Sequence, residues 1–209
     1  MLGLPPLPDW IASHFNIPPG TGIPVILPGA AGKPEWGRAD WGFRPQWAQP
    51  DAPKPINARA ETVATSKYFR DAFAHRRCLV PADGWYEWQA SDGRKQPWFV
   101  TPGENDGAGV LFLAGIWEPA AEDRICCAIV TEPARPPLDR IHERQPLALD
   151  GSCLQAWLDL GLTERDAVRA AVRRLPTEGL HAYPVSTEVN RPESDHDGLL
   201  EPLPNASEA

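Results

Sequence analysis

Long apolar runs are missing from this chain. The longest, Val110 to Trp117, covers 8 residues, far fewer than the roughly 20 that a membrane-spanning helix needs. Positive charge is missing at the start. No Lys or Arg precedes Lys33, so the basic n-region of a secretory signal is absent. Cysteine is scarce, and the 4 present (Cys78, Cys126, Cys127 and Cys153) have no zinc-ligand spacing. The adjacent pair Cys126 and Cys127 is poorly placed to cross-link to itself, and in a strand the two face opposite sides. These absences predict a cytoplasmic chain with reduced, mostly buried cysteines, without membrane contact, cofactor or metal site.

Net positive charge is missing too. The formal charge is -8, which speaks against a surface that is basic throughout. The distribution matters more than the sum. From Lys54 to Lys95 there are 8 Lys/Arg against 5 Asp/Glu, whereas Thr187 to Ala209 carries 6 acids and one Arg, Arg191. Acid is concentrated at the end of the chain, which leaves room for a local basic groove.

What is present describes an ordinary globular protein. The 209 residues suit one domain, and 42% hydrophobic with 23% charged residues excludes a disordered chain. The 25 prolines argue against a helical bundle and for short strands joined by loops. Strands are predicted at Ile23–Leu27, Cys78–Val80, Trp85–Trp88, Trp98–Thr101, Val110–Trp117, Ile125–Thr131 and His181–Val185. Ser91-Asp-Gly-Arg reads as a hairpin turn. Helices are predicted at Asp9–His14 (capped by Asp9), Thr65–Arg77, Leu154–Leu158 and Thr163–Leu175 (Thr163 and Asp166 as a capping box, Pro176 as the stop). Gly29 to Pro55 reads as one long irregular segment, and the acidic stretch after Asn190 as extended. The expected class is α+β, a single domain with a mostly antiparallel, barrel-like sheet and peripheral helices.

Polar residues interrupt otherwise apolar segments at four places. In Asn57-Ala-Arg-Ala-Glu61, Asn57, Arg59 and Glu61 share one face of an extended segment. That face is either a hydrogen-bonding surface or an exposed Arg–Glu pair. In Trp85-Tyr-Glu-Trp88, alternation puts Glu87 either inside with Trp85 or toward water. Inside, a carboxyl among aromatics loses hydration and can hold a proton near neutral pH. His142 and Arg144, in Ile141-His-Glu-Arg-Gln-Pro146, point the same way if the stretch is extended, and His142 can exchange a proton near pH 7. Asp40-Trp-Gly-Phe-Arg-Pro-Gln-Trp47 sets tryptophans beside arginine, a combination that suits base stacking, though Trp41 fits a core anchor as well.

In order, these segments resemble the SRAP family. The matching series is Trp41-Gly…Pro45-x-Trp47, Asn57-Ala-Arg-Ala-Glu, Arg77-Cys-Leu-Val-Pro-Ala-Asp-Gly-Trp-Tyr-Glu-Trp88, Lys95-Gln-Pro, Ala114-Gly-Ile-Trp117, Thr131-Glu, Ile141-His-x-Arg-x-Pro146 and Tyr183-Pro-Val-Ser-Thr-x-Val-Asn190. The resemblance implies a protein of the SOS response that captures abasic sites in single-stranded DNA, acts as a monomer, and has crosslinking, lyase and peptidase-like activity. In the family an amino-terminal cysteine offers amine and thiol to the ring-opened sugar, forming an imine and then a thiazolidine. Carried over, Asn57 positions amine and sugar, Glu87 moves protons, and His142 acts as acid or base on the sugar oxygen. Arg59 and Arg144 grip phosphates and Trp47 stacks on a base, while Thr131 and Pro19 line the groove.

The departure is at the start, which reads Met1-Leu-Gly-Leu-Pro5 with no cysteine before Cys78. The expected division is an SRAP domain over 1–190, without the family's first strand and most of its first helix, and an acidic tail over 191–209. A chain so composed is expected not to form the thiazolidine. It is either an abasic-site protein whose start lies upstream or a paralogue that binds single strands without reacting. A third reading is a thiol hydrolase built on Cys126 or Cys127 with His142.

Overall fold

Ile23, Val25 and Ile26 are buried, and they anchor the first strand, β1 (Gly22–Pro28). A computed structural model describes residues 3–4, 6–91, 93–103 and 109–204. In it β1 pairs antiparallel with β2 (Pro34–Trp41), from Gly22↔Asp40 to Pro28↔Pro34. The long irregular segment expected from Gly29 to Pro55 is therefore corrected. Its Pro and Gly content hid a strand whose partner supplies what local propensity does not, and Pro34 sits at the strand's first position, where a missing N–H is tolerated.

Eight further strands follow: β3 (Asn57–Arg59), β4 (Arg77–Ala82), β5 (Trp85–Ser91), β6 (Arg94–Pro102), β7 (Leu111–Pro119), β8 (Ile125–Pro133), β9 (Arg144–Pro146) and β10 (Leu180–Pro184). The larger sheet runs β2-β1-β4-β7-β8-β3, and β2 also turns back to pair in parallel with β8, from Ala39↔Ile125 to Trp41↔Cys127. The result is a barrel-like ring. β3 continues along the same edge of β8, parallel, from Asn57↔Ile129 to Arg59↔Thr131, and β9 pairs antiparallel with the last residues of β8. A smaller sheet, β10-β6-β5, stands beside the ring. The mostly antiparallel α+β architecture expected from the sequence is the one observed.

Alternation along the strands builds two apolar clusters. Ile26, Leu79, Ile116 and Val130 pack with Phe73 and Trp157 from the helices, while Val25, Val80, Leu113 and Ile129 pack with Val100 and Ala182 of the smaller sheet. Arg77, wholly buried, ties the helices to the ring. It donates to the carbonyls of Trp157, Phe73 and Ala74 at 2.7, 2.8 and 3.1 Å and to that of Asp159.

The helices are shorter than periodicity suggests. α1 is Arg70–His75, not Thr65–Arg77, because Thr62 to Ser66 form tight turns and Arg77 leaves to open β4. α2 is Leu154–Leu158, as expected. α3 is Arg165–Ala171, not Thr163–Leu175, and its N-cap is Glu164 rather than Thr163. Long-range backbone pairing takes over there: Leu149 bridges Arg174, the Asp150 amide donates to the Arg173 carbonyl, and the Leu175 amide donates to Ala148. Asp9–His14 is not helical. The chain is instead held from outside, since Asp195 accepts from the amides of Phe15 and Asn16 and pairs with His14 at 2.7 Å. The stretch after Asn190, expected to be extended, packs as well, with a 3-10 turn at Asp197–Leu200 that buries Leu199.

Candidate nucleic-acid groove and proton-transfer pair

Period-2 alternation places the first site residues. In β3, Ala58 is buried while Asn57 and Arg59 are exposed, so the amide and the guanidinium share the outer face. That face floors a shallow depression of about 620 Å3 lined by Pro53, Lys54, Asn57, Arg59, Tyr68 and Phe69. Tyr68 is fixed by its hydroxyl, which donates to the Pro53 carbonyl at 2.5 Å. The ring of Trp47 meets Tyr68 edge-on with centroids 5.8 Å apart, and the Lys67 amine lies 5.1 Å over Trp47. Trp47 is 54% exposed, so one indole face is available to a flat partner.

Glu87 comes from the smaller sheet and His142 from the turn before β9. Glu87 Oε1 lies 3.5 Å from His142 Nδ1. Glu87 is 21% exposed, and its burial pushes its carboxyl above the usual carboxylate range. The nearby His142 and the Trp88 amide, which donates to Oε1 at 3.2 Å, pull the other way. The open question of which way Glu87 faces is thus answered: it turns toward His142. His142 Nδ1 also lies 3.1 Å from both the amide N and the carbonyl O of Arg144. Unprotonated, Nδ1 accepts from that amide; protonated, it donates to the carbonyl or to Glu87. Either state is satisfied, so a proton can move within the pair at little structural cost.

Arg144 links this pair to β3. Its guanidinium holds Glu61 with both terminal nitrogens, at 2.5 and 3.0 Å, and Nη2 also donates to the Thr131 carbonyl at 2.7 Å and hydroxyl at 3.2 Å. The hydrogen bonds from Arg144 hold the Glu61 carboxyl down at about 2, against the opposing effect of partial burial. Thr131 is buried and sits in register with Arg59 on one side and Pro146 on the other, so Arg59 and Arg144 flank it. A continuous path of contacts therefore runs from Glu87 through His142, Arg144 and Thr131 to Arg59 and Asn57, residues drawn from four strands and a turn.

Pro19 lies apart from that path. It lines a second depression of about 770 Å3 with Trp41, Arg44, Arg124 and Cys126, and the two depressions meet at Lys54, which lines both. Trp41 serves as an anchor, its indole N–H donating to the Ile56 carbonyl at 2.9 Å. Lys54, Tyr68 and Phe69 were not singled out from the sequence as site residues. Tyr68 and Phe69 fall inside the helix predicted over Thr65–Arg77, and nothing in the spacing of Lys54 marks it. All four cysteines are buried, and burial pushes the thiols of Cys78, Cys126 and Cys127 up. Among the described residues no group of His, Cys, Asp and Glu could hold a metal ion, and no helix is long and apolar enough to cross a membrane.

Comparison with known proteins places this arrangement. The family model described as SOS response associated peptidase (SRAP) matches residues 6–192. The chain is 31% identical to the abasic site processing protein YedK of Escherichia coli, over 91% of this chain and 85% of the relative. It is 29% identical to the abasic site processing protein YoqW of Bacillus subtilis, over 90% and 85%. Among solved structures, a phage-related protein from Bordetella bronchiseptica superposes with a TM-score of 0.67 at 30% identity, covering 83% of this chain and 82% of its own. A protein from Bacteroides thetaiotaomicron superposes at 0.75 with 21% identity, a likeness of fold alone, covering 88% of this chain and 82% of its own.

Proposed function

Because this chain belongs to the SRAP family, we propose that it processes abasic sites in single-stranded DNA, with Asn57, Glu87 and His142 handling the opened sugar. The observation that carries this reading is the pairing of Glu87 with His142 at 3.5 Å, next to a face that presents Asn57 and Arg59. Proton transfer at an aldehyde needs a group that is neutral part of the time near pH 7. Burial pushes the Glu87 carboxyl above the usual carboxylate range and His142 Nδ1 stands 3.5 Å from it, so the proton transfers are assigned to this pair. Attack of an amine on the aldehyde first gives a carbinolamine. Loss of its hydroxyl as water, with a proton supplied by this pair, gives the imine. Asn57 offers an amide to orient the sugar, and Arg59 and Arg144 offer guanidinium forks to phosphates. Trp47 stacks on a base beside the lesion. Thr131 holds Arg144, and Pro19 lines the continuation of the groove beyond Lys54.

Closing a thiazolidine needs a free thiol beside the amine, and the four cysteines of this chain are buried. None of these four thiols therefore makes the second bond, and a form extended upstream so that it begins with an amino-terminal cysteine, as the family does, supplies the thiol for it. The test is a denaturing gel of each form after incubation with abasic single-stranded DNA. A shifted band is expected only for the extended form, and Glu87→Ala in that form is expected to slow its appearance. An unchanged rate would remove Glu87 from the mechanism. A thiol hydrolase is disfavoured, because activated thiols have lowered pKa values and those of Cys126 and Cys127 are raised.

A further inference from the structure

We propose that Glu61 is a built-in competitor of the DNA backbone at Arg144, and that it sets how weakly the groove holds an undamaged strand. This rests on the reading of the groove as a single-strand site. A carboxylate and a phosphate engage guanidinium in the same way, with two oxygens on two N–H groups. Glu61 fills that fork at 2.5 and 3.0 Å. The remaining Nη2 contacts go to Thr131, and Arg144 Nε is buried with no hydrogen-bond partner among the described residues. Arg144 is 18% exposed and Glu61 45%, so the carboxylate forms the solvent side of the pair. A phosphate approaching Arg144 meets the carboxylate first.

Charge bookkeeping points the same way. Arg59 also draws on Glu61 electrostatically, so one carboxylate sits in the field of both guanidinium groups. Arg59, Arg144 and Glu61 sum to a single positive charge where two would otherwise face the strand. A phosphate must either displace Glu61 or accept its repulsion. An intact nucleotide brings only that phosphate, whereas an opened abasic sugar also engages Asn57, Glu87 and His142. Glu61 therefore lowers a term that both strands share, which weakens the hold on intact DNA and cancels from the difference between the two affinities.

The alternative is that Glu61 is a strut that merely holds Arg144 in place. The two readings differ in sign. Intact and abasic oligonucleotides are titrated by fluorescence anisotropy against the wild-type chain, Glu61→Gln, Glu61→Ala and the double variant Glu61→Gln/Arg144→Gln, across about 50 to 200 mM salt. On our proposal Glu61→Gln and Glu61→Ala bind the intact strand more tightly, and the salt slope steepens by about 0.7, the contribution of one added phosphate contact to a single strand. Binding of the abasic strand tightens by the same factor, so the preference for abasic over intact DNA is unchanged, and the double variant loses both the gain and the extra slope. Weaker binding or a shallower slope for both Glu61 variants, with wild type binding normally, would overturn this proposal and leave the groove reading standing. Absence of wild-type binding to either DNA would instead overturn the groove reading, and this proposal with it.

Discussion

Replacing Arg77 with Met tests how the ring is joined to its helices. The guanidinium is wholly buried, and it donates to four carbonyls, those of Phe73, Ala74, Trp157 and Asp159. It also lies 5.6 Å from the Trp157 ring centroid. All four carbonyls belong to the last turns of α1 and α2 or to residues just after them, where helical carbonyls have no partner within the helix. Arg77 is thus a shared C-terminal cap for both. Burial lowers its pKa to about 10, which still leaves it charged at pH 7. Met keeps the bulk of the stem and removes every donor. An orphaned buried acceptor costs about 1 to 3 kcal/mol. Four of them, some regaining water after relaxation, put the loss at about 3 to 5 kcal/mol, the range also found when a buried charged network loses one member. For a domain of this size that is a fall of roughly 10 °C in Tm. Urea unfolding followed by circular dichroism reads it directly. Arg77→Lys, which keeps the charge but not the fork, should lose less. A loss below about 1 kcal/mol for Arg77→Met would refute the shared cap.

Three further outcomes follow from individual contacts. Glu87 has a folded pKa above its unfolded one, so it contributes stability below the ordinary carboxylate range and loses it as pH rises through the raised value; Glu87→Gln should abolish that loss in urea midpoints measured across pH. Trp47→Ala should weaken single-strand binding about tenfold, the worth of one stacked base, with little change in Tm, since Trp47 is 54% exposed. Asp195→Asn should speed hydrogen exchange at the amides of Phe15 and Asn16, which both donate to Asp195, while leaving the ring strands protected.

The strands of the ring were legible because they are nearly continuous apolar runs: β4, β7 and β8 are buried on both faces over most of their length. β2 was not, since Pro34, Gly37 and a mixture of charges carry no strand signal without the partner β1. The helices were overextended for a related reason. Arg173 to Leu175 continue a helical pattern but pair with Ala148 to Asp150 across the fold, and backbone pairing at long range is invisible to a local period. At the site, the shared face of Asn57 and Arg59 followed from alternation. The approach of Glu87 to His142 did not, because two sheets must meet to create it. The family resemblance pointed to both residues, and the fold brings them to 3.5 Å.

The central proposal is that this chain recognises an abasic single strand through Asn57, Glu87 and His142, and that none of its four buried thiols bonds to the sugar. The most direct measurement mixes the chain with matched abasic and intact oligonucleotides and runs native and denaturing gels side by side. The account predicts a native complex that favours the abasic strand and vanishes on heating in denaturant. A heat-stable adduct carried by Cys126 or Cys127, or the absence of any native complex, would contradict it.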